Sequence, residues 1–181
     1  LDLIQAAFPR TPWVYLHRDP VEILVSQRRQ RGYQFLPGAM DPRPFGIAPE
    51  EIPACDLDRY TARVLGASAA AATRALANPA SPAFAVDYSD LRERIPGLLR
   101  HSFGLSDADA QEWSAMQEAL TRNAKNPRIP FSDDSEQKRR EADETLRTLA
   151  ETWLGESRRA LLRHRNIAGA DTPGGADRHH S

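Results

Sequence analysis

Two short segments of this chain have strand-like apolar patterns, and most remaining apolar residues recur at helical spacing. Trp13, Val14, Tyr15 and Leu16 form a run that is apolar on both alternating sets of positions, as in a parallel strand covered on both faces. Phe84, Val86 and Tyr88 alternate with Ala85 and Asp87, which predicts a second strand. After the first strand, Asp19 sits at a cap position and Pro20 suits the first helical turn. Val21, Leu24 and Val25 then mark one apolar face of a helix that ends in the basic run Arg28-Arg29-Gln30-Arg31. That run reads as a solvated helical face or as an extension of a positive field.

A clear helix is expected over 57–76, with Leu57, Tyr60, Val64, Leu65 and Ala71 as its stripe and an alanine-rich centre. Asn78, Pro79, Ser81 and Pro82 end it. Further helices are expected at 90–100, from a Ser106 cap through Trp113, Met116 and Leu120, and from 135 to 163. The last carries Ala142, Leu146, Leu149, Trp153, Leu154, Leu161 and Leu162 at helical spacing. Residues 32–56 hold eight glycines and prolines and read as a loop with at most a turn of helix. Phe35, Met40, Phe45 and Ile47 give this loop enough apolar area to fold down as a lid. Residues 1–165 read as one domain and 166–181 as a disordered tail, in which His179 and His180 are assigned no metal. Residues 1–8 read as the last turns of a helix, so the expectation is the back part of something longer.

Composition narrows the function classes. With 24 basic and 25 acidic side chains the formal net charge is -1, which gives no support to a general nucleic-acid binder. Lys125 and Lys138 are the only lysines, so positive charge is almost all arginine. Cys55 is the only cysteine, which excludes an internal disulfide and a cysteine-based zinc site within one chain. No apolar run approaches the ~20 residues of a membrane span, and no secretory pattern opens the chain. The expected compartment is reducing and cytoplasmic.

Chemistry concentrates where the first strand meets the helix. A helix start presents unpaired N–H groups and the positive end of its dipole, and Arg18 adds a planar fork of donors. Arg18 reads as a phosphate ligand or as a strand-end arginine paired with Asp19 or Glu22. The first is favoured because an arginine at a helix start needs an anion. Ser26 alone is weak, since serine often bonds back within a helix. His17 could act as a base but reads first as packing. Asp87 and Asp90 read first as caps, and no spacing here marks a nucleophile triad.

Residues 9–31 resemble the 3'-phosphate-binding element of the sulfotransferase superfamily: a strand ending in Arg18-Asp19-Pro20, then a helix with Ser26 eight residues after the arginine. Ala7-Phe8-Pro9 before it, Val86-Asp87-Tyr88-Ser89-Asp90-Leu91 and Phe103-Gly104-Leu105 resemble further family segments in the family's order. The resemblance implies an α/β fold, a partial three-layer sandwich around a small parallel sheet with P-loop NTPase-like sulfotransferase architecture. It implies 3'-phosphoadenosine-5'-phosphosulfate (PAPS) or adenosine 3',5'-bisphosphate as ligand, without metal. Arg18 and Ser26 would hold the 3'-phosphate and Tyr88 would lie near the adenine. Lys125 or Arg128 are the nearest matches to a later basic segment, with Arg122 and Asn123 as alternatives.

The family's Gly/Ser/Thr-rich loop for the 5'-phosphosulfate has no counterpart in this sequence. The function implied is therefore sulfuryl transfer from PAPS to a hydroxyl or amine as part of a longer or completed enzyme, with no catalytic residue assigned here. The alternative is a non-catalytic relative that binds a nucleotide weakly or a protein partner. A kinase sharing the general architecture is a lesser alternative. The expected partners are an acceptor and a second copy or partner chain that completes the sheet, with neither nucleic acid nor membrane.

Overall fold

The computed structural model describes residues 6–78, 83–91 and 134–167, with positions 97, 104, 106, 109 and 112 between them. Strands β1 (Trp13–His17) and β2 (Ala83–Asp87) pair in parallel, Trp13 opposite Ala83 and His17 opposite Asp87. The chain is thus α/β with a small parallel sheet of two strands among the described residues. Parallel pairing requires a long crossover. Helices α1 (Pro20–Arg29) and α2 (Leu57–Leu76) lie within it. Tyr15 and Ala85, cross-strand partners, pack on Ala69 of α2 and on Leu161 of the last helix, so both helices cover one face of the sheet.

The caps are as the residue types dictate. The Asp19 carboxylate accepts from the backbone N–H groups of Val21 and Glu22 at 2.9 and 3.4 Å, ahead of Pro20. Asp56 does the same for Asp58 and Arg59 at the start of α2. The Ser106 hydroxyl accepts from the Asp109 N–H, and the Asp109 carboxylate accepts from the Ser106 N–H, a reciprocal cap where Ser106 was expected to cap.

Two expectations need correction. The C-terminal segment is two helices, α3 (Ser135–Glu141) and α4 (Glu144–Ile167), because Ala142 takes an extended conformation at the break. Asp143 starts the new helix, its carboxylate accepting from the Leu146 N–H at 2.8 Å. Helix α4 also runs through Ile167, four residues past the expected end and into the segment read as tail. The loop 32–56, expected to hold at most a turn of helix, forms three 3-10 turns, at Tyr33–Phe35, Arg43–Phe45 and Pro49–Ala54. Its Phe35 and Ile47 are buried against Tyr60 and Val64 of α2, while Met40 stays exposed.

Leu24 and Val25 of α1, Ala62 of α2, Ala142, and Leu146, Ala150 and Leu154 of α4 form the largest apolar cluster. Helix α2 crosses α4 at Gly66, where a Cβ would collide with the Trp153 carbonyl oxygen and lie 3.2 Å from its carbon. Only glycine permits that approach.

The basic run at the end of α1 is neither a free face nor a bare field. Arg28 pairs with Asp58 and Asp143 at 2.8 and 2.7 Å, Arg29 with Glu141 at 2.5 Å, and Arg31 with Asp58 at 2.9 Å. These arginines tie α1 to α2, α3 and the start of α4. Most of the segment expected as a helix at 90–100, along with Trp113, Met116, Leu120, Lys125, Arg128 and the chain from 168 onward, lies outside the described residues.

Candidate functional site

Parallel strands place their functional groups at their carboxyl ends, where the chain turns out of the sheet. At this end β1 delivers His17 and Arg18, and β2 delivers Asp87 and Tyr88. The Arg18 guanidinium lies over the Tyr88 ring, 4.9 Å from its centroid, a cation–π geometry. Tyr88 is 36 % exposed, so the stacked pair has a solvent-facing side. Two residues assigned to one ligand from distant parts of the sequence therefore meet.

Arg18 is also engaged from behind. Its Nε donates to Glu22 at 2.6 Å and its Nη2 donates to the Ser135 hydroxyl at 2.9 Å. Glu22 is only 3 % exposed and takes a second cation, Arg139, at 2.9 Å. A buried carboxylate needs such pairing, since taking a charge out of water unpaired is costly. The pairing with Glu22 considered from the sequence is thus present, and Arg18 still faces Tyr88. Ser26 is half-buried on α1, one turn from Glu22 and one turn from Arg29.

A second charged group sits deeper. Arg158 of α4 donates to the Asp87 carboxylate at 2.8 Å and to His17 Nδ1 at 2.6 Å. Arginine has donors only, so in this contact the His17 Nδ1 accepts. Buried and already bound at Nδ1, His17 is a packing and hydrogen-bonding residue here rather than an open base. Burial pushes the Asp87 carboxyl up. The Ser89 N–H and hydroxyl, with the Arg158 charge, outweigh that and hold it below the usual carboxylate range. Asp87 also caps the 3-10 turn Tyr88–Asp90, accepting from Ser89 N–H at 3.0 Å, so it positions Tyr88.

A third group joins α1 to α3. Asp134 lies 2.7 Å from the Lys138 Nζ, 3.4 Å from Arg29 Nη1 and 3.6 Å from Arg18 Nη2. Partial burial raises the Asp134 carboxyl, but the Lys138 hydrogen bond and the charges of Lys138 and Arg18 keep it below its ordinary value.

Asp134, Lys138 and Arg158 were not singled out from the sequence as site residues, and Glu22 was named only as a structural partner for Arg18. Glu22 lies between Val21 and Ile23 on a short helix, Asp134 and Arg158 gain meaning from partners far along the chain, and Lys138 gains it from Asp134 one turn before it. Cys55 is half-buried, burial pushes its thiol up, and no nucleophile is assembled around it. Among the described residues no three His, Cys, Asp or Glu side chains are grouped to hold a metal ion. No described helix is long and apolar enough to cross a membrane. No protein-family model, curated protein or solved structure matches this chain.

Proposed function

We propose that this chain is the nucleotide-side wall of a PAPS-dependent sulfuryl transferase with the three-layer, P-loop NTPase-like architecture that its motifs resemble. Arg18 and Ser26 address the 3'-phosphate, and Tyr88 lies beside the adenine. The observation that carries this reading is the convergence of Arg18 and Tyr88 at the carboxyl ends of adjacent parallel strands. In open α/β sheets ligands bind outside that edge. The sulfonate needs its own donors and the acceptor needs a base, and these come from residues outside this sequence, in a longer chain or a partner. The isolated chain accordingly binds the nucleotide and does not turn over PAPS.

One observation favours the second reading, a non-catalytic nucleotide- or protein-binding relative. The Arg18 guanidinium is already bonded to Glu22 and Ser135, as a purely structural arginine would be.

Calorimetry separates the two. Wild-type protein should bind adenosine 3',5'-bisphosphate more tightly than adenosine 5'-monophosphate. Charge-assisted hydrogen bonds contribute roughly 1.5–3 kcal/mol, so Arg18→Ala should weaken the bisphosphate about 10-fold or more and leave the monophosphate unchanged. Glu22 keeps Arg139 as a partner in that variant. Equal affinity of the wild type for both nucleotides rules out the first reading.

A further inference from the structure

Asp134 occupies the place just before α3 where an aspartate ordinarily caps the helix, yet its carboxylate makes no cap hydrogen bond. It turns instead to Lys138, Arg29 and Arg18, which reach it from three separate positions at 2.7, 3.4 and 3.6 Å. Lys138 is only 7 % exposed, so the charge it holds toward Asp134 is a buried one. Glu22 holds Arg18 and Arg139, and Glu141 holds Arg29. With Asp134 swung away, Arg18, Arg29 and Lys138 would face the vacated place together, a setting that suits an anion such as a phosphate monoester, dianionic near neutral pH.

We propose that Arg18, Arg29 and Lys138 form a clamp for a dianionic phosphate and that the Asp134 carboxylate is its built-in competitor. The inference rests on the reading of Arg18 as a phosphate ligand and adds its regulation: phosphate enters as Asp134 leaves. Asp134 has the freedom to do so, with its side chain about one-third exposed and no cap bond to break. A carboxylate that fills the clamp for about nine-tenths of the time lowers apparent affinity about tenfold, because only the open fraction binds.

The test is calorimetry of inorganic phosphate, adenosine 3',5'-bisphosphate and adenosine 5'-monophosphate with wild type, Asp134→Asn and the double variant Asp134→Asn/Lys138→Met. Asp143→Asn, which removes a carboxylate paired with Arg28 outside the clamp, controls for net charge. The expected result is at least tenfold tighter bisphosphate and inorganic phosphate in Asp134→Asn, no gain in Asp143→Asn, and loss of the gain in the double variant. A gain for inorganic phosphate alone keeps the clamp and removes the nucleotide reading. Unchanged or weaker phosphate binding in Asp134→Asn overturns the clamp. If the bisphosphate is still preferred over the monophosphate, the nucleotide reading survives that loss. Binding of neither phosphate probe by any protein overturns both. Thermal melts establish that each variant is folded, and Asp134→Ser replaces the asparagine variant if that one is not.

Discussion

Replacing Gly66 by alanine should destabilise the protein, although alanine is the better helix former. Gly66 lies within α2, and in an unobstructed helix the change is favourable by about 1 kcal/mol. Here the new Cβ would collide with the backbone carbonyl oxygen of Trp153, which cannot rotate away as a side chain can. Helices α2 and α4 must separate by about 1 Å, and a gap of that size forfeits a quarter to a half of each contact across it. Gly66 sits between Ala62 and Ala69, both buried where the two helices meet, so several side chains lose contact together. Overpacking of this kind costs about 1–3 kcal/mol. After the helix-propensity gain the net loss is up to about 2 kcal/mol, a fall in melting temperature of up to roughly 8 °C for a chain of this size. Gly155 provides the contrast. The nearest atoms to a Cβ there belong to the Glu151 carboxylate, an exposed and flexible group on the same helix, so Gly155→Ala should gain up to about 1 kcal/mol. Circular dichroism melts and urea titrations of both variants read the two signs. A Gly66→Ala protein more stable than wild type by about 1 kcal/mol, as in an unobstructed helix, would refute the close crossing of α2 and α4.

The Tyr60 side chain is fully buried in an apolar cluster, and its hydroxyl has no hydrogen-bond partner among the described residues, so Tyr60→Phe should stabilise by about 1 kcal/mol. A loss of stability in the same urea titration would reveal a bond to that hydroxyl. Asp87, with its acidity raised in the fold, contributes stability that is present above its unfolded value of about 3.9 and is lost as pH falls through its lower native value. Asp87→Asn should cost about 2 kcal/mol at pH 7 by stranding Arg158, and should flatten the acid side of the stability curve. An unchanged acid slope would remove Asp87 from the linkage.

The segments legible in the sequence are those whose signals are local. An apolar run marked β1, alternation marked β2, Asp19-Pro20 marked the start of α1, and the apolar stripe of α2 was bounded by Asn78, Pro79, Ser81 and Pro82. The break between α3 and α4 was missed because the apolar spacing from Ala142 to Leu146 continues across it, and only Asp143 as a cap marks the restart. The resemblance assigned Arg18 and Tyr88 to different parts of one ligand, and their direct contact left no trace in the pattern. Arg28, Arg29 and Arg31 read as a solvated run because their acidic partners lie 27 to 115 residues away. For the same reason His17 could be weighed as a base until Arg158 supplied the donor that occupies its Nδ1. Charge pairing across a fold leaves almost no trace in local spacing, whereas caps and apolar periodicity do.

The most direct test of the central claim is a crystal structure of the protein with adenosine 3',5'-bisphosphate bound. The account predicts the 3'-phosphate within hydrogen-bond distance of Arg18 and the Ser26 hydroxyl, with the adenine against Tyr88 at the carboxyl ends of β1 and β2. A nucleotide bound elsewhere, with Arg18 still donating to Glu22 and Ser135 and touching no ligand, would contradict it.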